Sequence, residues 1–310
     1  MMHRYSGLPA LPTTSSAVVT IGVFDGMHTG HHSLLSQLAA HAHANQQRAV
    51  VVTFDPHPDS IVRPAQFQGL LQTPADRITM MAACGIDAVH SVAFDHDIQQ
   101  WSAADFMAAV ARSTQIRELW VGWDFALGRQ REGNHDRLRA VGQALGYQLT
   151  VRPRHDTSDG APSASAIRQA LKEGAIIQAN HLLGRRHSYH GPVVSGDKRG
   201  RTIGFPTANI HIDQRLILPR FGVYACIVTI AGVQYQAVTN IGVRPTFQGR
   251  EPRIEAHLID ANVDVYDQLA TIEFVDFIRP EQKFAGIDAL IQQIRSDTET
   301  AKQRLQSHLL

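Results

Sequence analysis

The run Ala17-Val-Val-Thr-Ile-Gly-Val-Phe-Asp-Gly-Met-His-Thr-Gly-His31 decides how the first half of this chain folds. Its apolar, β-branched opening, Val18–Phe24, reads as a strand. A glycine-rich turn follows, and then Leu34, Leu35, Leu38 and Ala39 recur with helical spacing. The expected unit is strand, tight turn, helix N-terminus. The first amides of a helix lack intrahelical partners and carry the positive end of its dipole, so they suit an anion. Gly26 and Gly30 allow a ligand close to the backbone. His28 and His31 can donate hydrogen bonds to the same anion, which makes a phosphate site the leading reading. Two others stay open: zinc ligands, with His32 nearby, and plain structural histidines.

The chain has 310 residues, long for one core, so two domains are expected. Hydrophobic residues make up 44% and charged ones 18%, an ordinary globular balance. A formal charge of +1 argues against a general nucleic-acid or membrane-surface binder. The two cysteines, Cys84 and Cys226, give neither a disulfide framework nor a zinc spacing. No apolar run is long enough to span a bilayer, and no secretory h-region opens the chain, so a cytoplasmic location is expected.

Strand-like and helix-like stretches alternate through the first half. Strands are expected at Val18–Phe24, Ala49–Phe54, Ala88–Phe94, Glu118–Val121 and Tyr147–Val151. Helices are expected near Ser33–Ala44, Pro74–Ala83, Ala103–Arg112 and Arg131–Leu145. This alternation implies a parallel sheet covered by helices, with ligands beyond the carboxyl ends of its strands. Helical stretches at Ser163–Glu173 and Ala175–Leu183 close this half, and a domain boundary is expected at Gly184, giving domains 1–184 and 185–310. Beyond it, six short strand-like runs separated by turn residues predict an antiparallel barrel, closed by one helix over Lys283–Leu309.

Further candidates fit phosphate chemistry. Asp124, in the turn after the fourth strand, offers an acceptor for a ribose or base, or else caps a loop. Ser163 is a plausible helix N-cap, and Arg168 can present its fork of donors to phosphates or simply face solvent. The run Gly191–Asn209 carries four glycines and three basic residues. Such a loop, with Gly196, Lys198 and Gly204, can fold over a polyphosphate. Thr207 and Asn209 lie two apart, so an extended chain points them the same way. Their oxygens suit Mg²⁺ carried with ATP. Glu255 lies on the polar face of an alternating strand, Arg253–Ile259. It is either a solvated residue or the base that removes a proton from a hydroxyl.

The HxGH pattern after an apolar strand resembles the nucleotidylyltransferase superfamily. Over nearly its whole length the chain resembles the prokaryotic bifunctional riboflavin kinase/FAD synthetase family. GVFDGMHTGH, TFDPHP, GWDFALGRQREG and SASAIR carry the first half of the match. GFPTANI, TNIGVRPTF, RIEAHLID and RPEQKF carry the second. The resemblance implies a Rossmann-like nucleotidylyltransferase domain with a parallel sheet, and an antiparallel six-stranded β-barrel kinase domain with a C-terminal helix. It implies ATP, riboflavin and FMN as substrates and Mg²⁺ as cofactor. Gly22, Phe24, Asp25, His28, His31, Asp124, Ser163 and Arg168 would then serve ATP in adenylyl transfer. Thr207 and Asn209 would hold Mg²⁺–ATP, and Glu255 would be the kinase base. Ala164, Ser165, Leu127, Ala261 and Asp267 depart from the family pattern. Two alternatives stay open: a riboflavin kinase with a weak or altered adenylyltransferase domain, and a non-catalytic flavin-binding regulatory protein.

Overall fold

Strand β2 (Ala17–Ile21) is buried along its whole length, because its alternating side chains have two faces to fill. Ala17, Val19 and Ile21 enter one core, and Val18 enters another. The computed structural model describes residues 2–10, 15–154, 160–196, 200, 203–246, 249–261 and 263–307. Packing divides it into two units, Met1–Ser163 and Ala164–Leu310.

In the first unit β2 is followed by α1 (Thr29–Ala44), β3 (Arg48–Phe54), α2 (Pro58–Val62), α3 (Pro74–Ala83) and β4 (Ala88–Val92). Then come α4 (His96–Gln100), α5 (Ala103–Thr114), β5 (Ile116–Gly122), α6 (His135–Leu145) and β6 (Gln148–Arg152). A short edge strand, β1 (His3–Ser6), precedes them all. The six strands run in the order β1-β4-β3-β2-β5-β6, every pair parallel. Leu35, Leu38 and Ala42 of α1 cover one face with Met81 of α3. Phe106, Met107 and Val110 of α5 cover the other with Leu138 of α6. Each such leucine contributes about 1.5–3 kcal/mol by leaving water. The chain winds one way from β2 to β4 and the other from β5 to β6. The carboxyl ends of the neighbours β2 and β5 therefore form the switch point where ligands bind in such sheets.

The second unit contains α7 (Ala164–Glu173), α8 (Ile176–Leu183), β7 (His187–Val194), β8 (Ala208–Ile210), β9 (Gly222–Ile230) and β10 (Val233–Thr246). It continues through β11 (Gly249–Leu258), β12 (Leu269–Pro280) and α9 (Ile287–Ser307). The strands close a barrel in the order β10-β11-β8-β7-β12-β9, with every pairing antiparallel. Helix α9 buries Ala301 and Leu305 against Val223, Ala225 and Val275. Arg279 grips Asp297 through Nε and Nη2, with a shortest distance of 2.7 Å, and so ties α9 to β12.

Several expectations shift. The first strand stops at Ile21, three residues early, because Val23–Asp25 turn into the loop. The fourth helix starts at His135 rather than Arg131, with the Asn134 side chain accepting from Arg137 N–H as its cap. Strand β1 and helices α2 and α4 are too short for periodicity to reveal. The packing boundary falls at Ser163/Ala164, ahead of the Gly184 expected from the change in texture. Asn180 of α8 explains this: its side chain donates to Phe274 O at 2.9 Å and accepts from His187 N–H at 2.7 Å, holding the helix to the barrel strands.

Candidate functional site

The turn after β2 brings Gly22, Phe24, Asp25, His28 and His31 together at the switch point. His28 caps α1: its Nδ1 accepts the His31 backbone N–H at 3.3 Å. In the neutral ring the proton therefore sits on Nε2. The two imidazoles stack, with centroids 3.6 Å apart. A Cβ on Gly30 would come within 3.3 Å of the His28 ring, so the glycine makes room for this stack. Phe24 sets its edge against His31 at 5.1 Å. Burial, and then the neighbouring His28, hold the His31 pKa well below 6.5, so this ring is neutral at pH 7. Its Nδ1 is buried and has no protein partner. No acidic residue occupies the first turn of α1. Amides and imidazoles at a helix start, with no acid among them, are chemically suited to an anion. Asp25 is buried and accepts Leu71 N–H with both oxygens at 3.1 Å, which anchors the turn to the following loop. Among the described residues no group of three or more His, Cys, Asp or Glu could hold a metal ion.

A cavity of about 930 Å³ opens beside this turn, reaching Gly22 and Val23 at its inner end. Phe54, Phe94, Trp101, Phe106 and Phe125 supply aromatic walls, and Arg63 and Arg131 supply charge. Phe54 meets Phe94 edge-on at 5.6 Å. Arg63 is paired with Asp59 of the same lining at 2.6 Å, and the aromatic walls suit a flat aromatic ligand. Asp124 is exposed and lines the same cavity, so the turn after β5 faces it as the strand order requires. Sequence reading missed the cavity walls. Their aromatic residues come from five separate segments, and no local spacing joins them.

Ser163 ends the first unit immediately before α7, and Arg168 of the second unit is buried on that helix. Of the other candidates, Asn209 and Glu255 lie on the outer face of the barrel. Asn209 of β8 pairs in register with Glu255 of β11, which pairs in turn with Asn240 of β10. The neighbouring residues Ala208, Ile210, Ile254 and Ala256 are buried, so this row looks away from the barrel interior. Asn209 Oδ1 is nevertheless buried without a partner. A Cβ on Gly196 would lie 2.3 Å from Asn209 Nδ2, so the glycine lets the loop backbone rest against this amide. Gly204 adopts φ +87°, a turn conformation that side chains disfavour. The His257 ring bonds Pro206 O at 2.9 Å, which fixes the backbone just before Thr207. Glu255 has Arg253 Nη1 3.7 Å away. Lys198 lies outside the described residues. Asn240 was not singled out in the sequence, because only register reveals it beside Glu255.

Comparison with known proteins finds two family models along the chain. A riboflavin kinase family model matches residues 183–305, and an FAD synthetase model matches residues 11–166. The bifunctional riboflavin kinase/FMN adenylyltransferase of Escherichia coli is 35% identical over 304 residues, covering 97% of this chain and 96% of its own. The protein of the same name from Listeria monocytogenes is 32% identical, covering 94% and 93%. A solved structure described as a macrolide-efflux protein from Streptococcus pneumoniae superposes with TM-score 0.88 at 28% identity, covering 97% of this chain and 99% of that one. Among the described residues of the present chain, no helix is long and apolar enough to cross a membrane.

Proposed function

The chain belongs to the bifunctional riboflavin kinase/FMN adenylyltransferase family, and from that premise we propose how its two sites divide the work. The enzyme phosphorylates riboflavin to FMN with ATP, then joins FMN to the AMP part of a second ATP, giving FAD and pyrophosphate. Residues 1–184 carry adenylyl transfer and residues 185–310 carry the kinase. The observation that weighs most is the pairing of Glu255 with Asn209, which sets a carboxylate beside a buried, unpartnered oxygen.

In the kinase step, Glu255 takes the proton of the ribityl 5′-hydroxyl as its oxygen attacks the γ-phosphorus. ADP leaves. Mg²⁺ fits Thr207 and Asn209, whose oxygens are hard donors and of which Asn209 Oδ1 has no protein partner; bound there, it would offset phosphate charge. Gly196, Lys198 and Gly204 belong to the loop that covers the ATP phosphates.

In the second step, an FMN phosphate oxygen attacks the α-phosphorus of ATP, and pyrophosphate carries the electron pair away. The nucleophile is already ionised, so no base is required. The need is for donors at the growing phosphate charge. His28 Nε2–H, His31 and the N-terminal amides of α1 supply them. Gly22, Phe24 and Asp25 shape the turn, and Asp124 accepts from the nucleoside. The flavin ring lies among the aromatic walls of the cavity. The assignment of Ser163 and Arg168 to the same ATP rests on the helix-opening run alone. The reaction takes place in the cytoplasm, where ATP is supplied.

Incubating the purified protein with riboflavin, ATP and Mg²⁺, and separating the products, tests this reading. FMN should appear first and FAD after it. FMN accumulating without FAD would reduce the first unit to a nucleotide binder. Flavin binding without ATP turnover would leave only a regulatory protein.

A further inference from the structure

Arg77 of α3 is 2% exposed, far from the usual place of an arginine. Its Nη1 donates to Val23 O and its Nη2 to Phe54 O, both at 3.0 Å. These carbonyls belong to different segments. Val23 begins the turn that leads to His28, and Phe54 ends β3 and walls the cavity. Both residues line the cavity. Burial pulls the Arg77 pKa below 12.5, while Asp25 and Asp55 oppose that shift, and the guanidinium stays charged. Its Nε is buried with no partner, a desolvation cost that an apolar side chain would avoid. The side chain is thus expensive as packing, and what it provides is a rigid two-pronged link.

The turn needs such a link. Phe24 and Met27 take φ of 55° and 39°, in the left-handed region that side chains disfavour. Each is a strained conformation that persists only where surrounding contacts fix it. Thr53 Oγ1 also donates to Val23 O, at 3.2 Å, and Asp25 is fastened to Leu71 N–H. Val23 O is therefore held from two sides, by β3 and by α3.

We propose that Arg77 is a positioning residue for adenylyl transfer, one guanidinium fixing the turn that holds the ATP phosphates and the wall that holds the flavin at a set separation. It touches neither reactant. Its effect is on their alignment, where a misplacement of about 1 Å can cost roughly 100-fold in rate. The proposal rests on placing adenylyl transfer at the Gly22–His31 turn.

The test uses the full-length enzyme and follows FAD formation from FMN and FMN formation from riboflavin in the same preparation. Arg77→Met should lower kcat for FAD formation by about 10- to 100-fold. KM for ATP and for FMN should hold steady, and riboflavin phosphorylation should be unchanged. Arg77→Lys keeps charge and donors but loses the planar fork, so its kcat should fall between wild type and Arg77→Met. Thr73→Ala controls for stability: it removes the N-cap of α3, where Thr73 Oγ1 accepts Asp76 N–H at 3.2 Å, and leaves the link intact. It should lower the melting temperature and leave kcat alone at temperatures below the transition. Wild-type kcat in Arg77→Met overturns the proposal, as does a Thr73→Ala variant that loses kcat in step with its melting temperature. If Arg77→Met does not fold, Arg77→Lys decides: reduced kcat at an unchanged melting temperature supports the link, and wild-type kcat overturns it. His28→Ala, run alongside, separates the two layers. Full FAD formation there would remove the site itself, whereas its loss beside a fully active Arg77→Met would remove only the link.

Discussion

The two proposed catalytic regions are built by opposite strategies. On the barrel, Asn209, Glu255 and Asn240 lie side by side because strand pairing puts them there. The hydrogen-bonded ladder that makes the fold also makes the site, and cross-strand neighbours need no further fixing. At the parallel sheet, the functional groups lie past the ends of the strands, in a turn with left-handed Phe24 and Met27. No ladder reaches it. Its shape comes from contacts brought in from elsewhere: Arg77, Thr53, and Leu71 on Asp25. A site on a sheet face inherits its geometry from the sheet, whereas a site at a sheet end has to be held by tertiary contacts.

Mutations can separate the two regions. The largest expected effect is that of Glu255→Gln, which keeps the shape and removes the base. FMN formation from riboflavin should fall by about 100- to 10,000-fold, as for other lost general bases. FAD should still form from added FMN. Loss of both steps, with the thermal melt intact, would break the division. Next comes His28→Ala, expected to lower FAD formation by about 100- to 1000-fold while riboflavin phosphorylation continues. Product chromatography on each substrate reads both variants.

A smaller effect distinguishes the two regions by pH. His187 of the barrel unit is buried, and burial lowers its pKa from 6.5 to about 3. The folded ring stays neutral where the unfolded one takes up a proton. Its contribution to stability is therefore complete above about pH 6.5 and is lost as pH falls toward 3, at about 1.4 kcal/mol per pH unit. His187→Phe, beside Tyr189 and Phe274, should flatten the acid limb of the barrel's melting curve. An unchanged slope would assign the acid sensitivity to other groups. Burial also lowers the pKa of His31, which lies in the proposed phosphate site, so its protonation is expected to respond to ATP, whereas that of His187 is not.

The legibility of each part follows the same division. The apolar, β-branched run from Ala17, the helical spacing of α1 and the alternation of strand-like with helix-like stretches made the parallel sheet readable, because regular elements carry recognisable patterns. Thr207, Asn209 and Glu255 were readable as residues for the same reason. Strand β1 and helix α2 were not, since four or five residues carry too little pattern. The aromatic cavity was invisible too: Phe54, Trp101 and Phe125 are far apart in the chain, and only the switch point collects them. The texture change at Gly184 was real, but packing starts the second unit at Ala164, because the Asn180 side chain bonds to Phe274 and His187.

By itself the sequence determined the class of each half, the histidine turn at a helix start, and the residue types that phosphate transfer requires. These are local properties, set by backbone preference and by which side of an element a residue occupies. Tertiary structure alone decided that Glu255 stands opposite Asn209, that Asn240 completes the row, and that Arg77 joins the phosphate turn to the cavity wall. Register and long-range hydrogen bonds depend on which distant segments pack together, and that is settled only when the cores close.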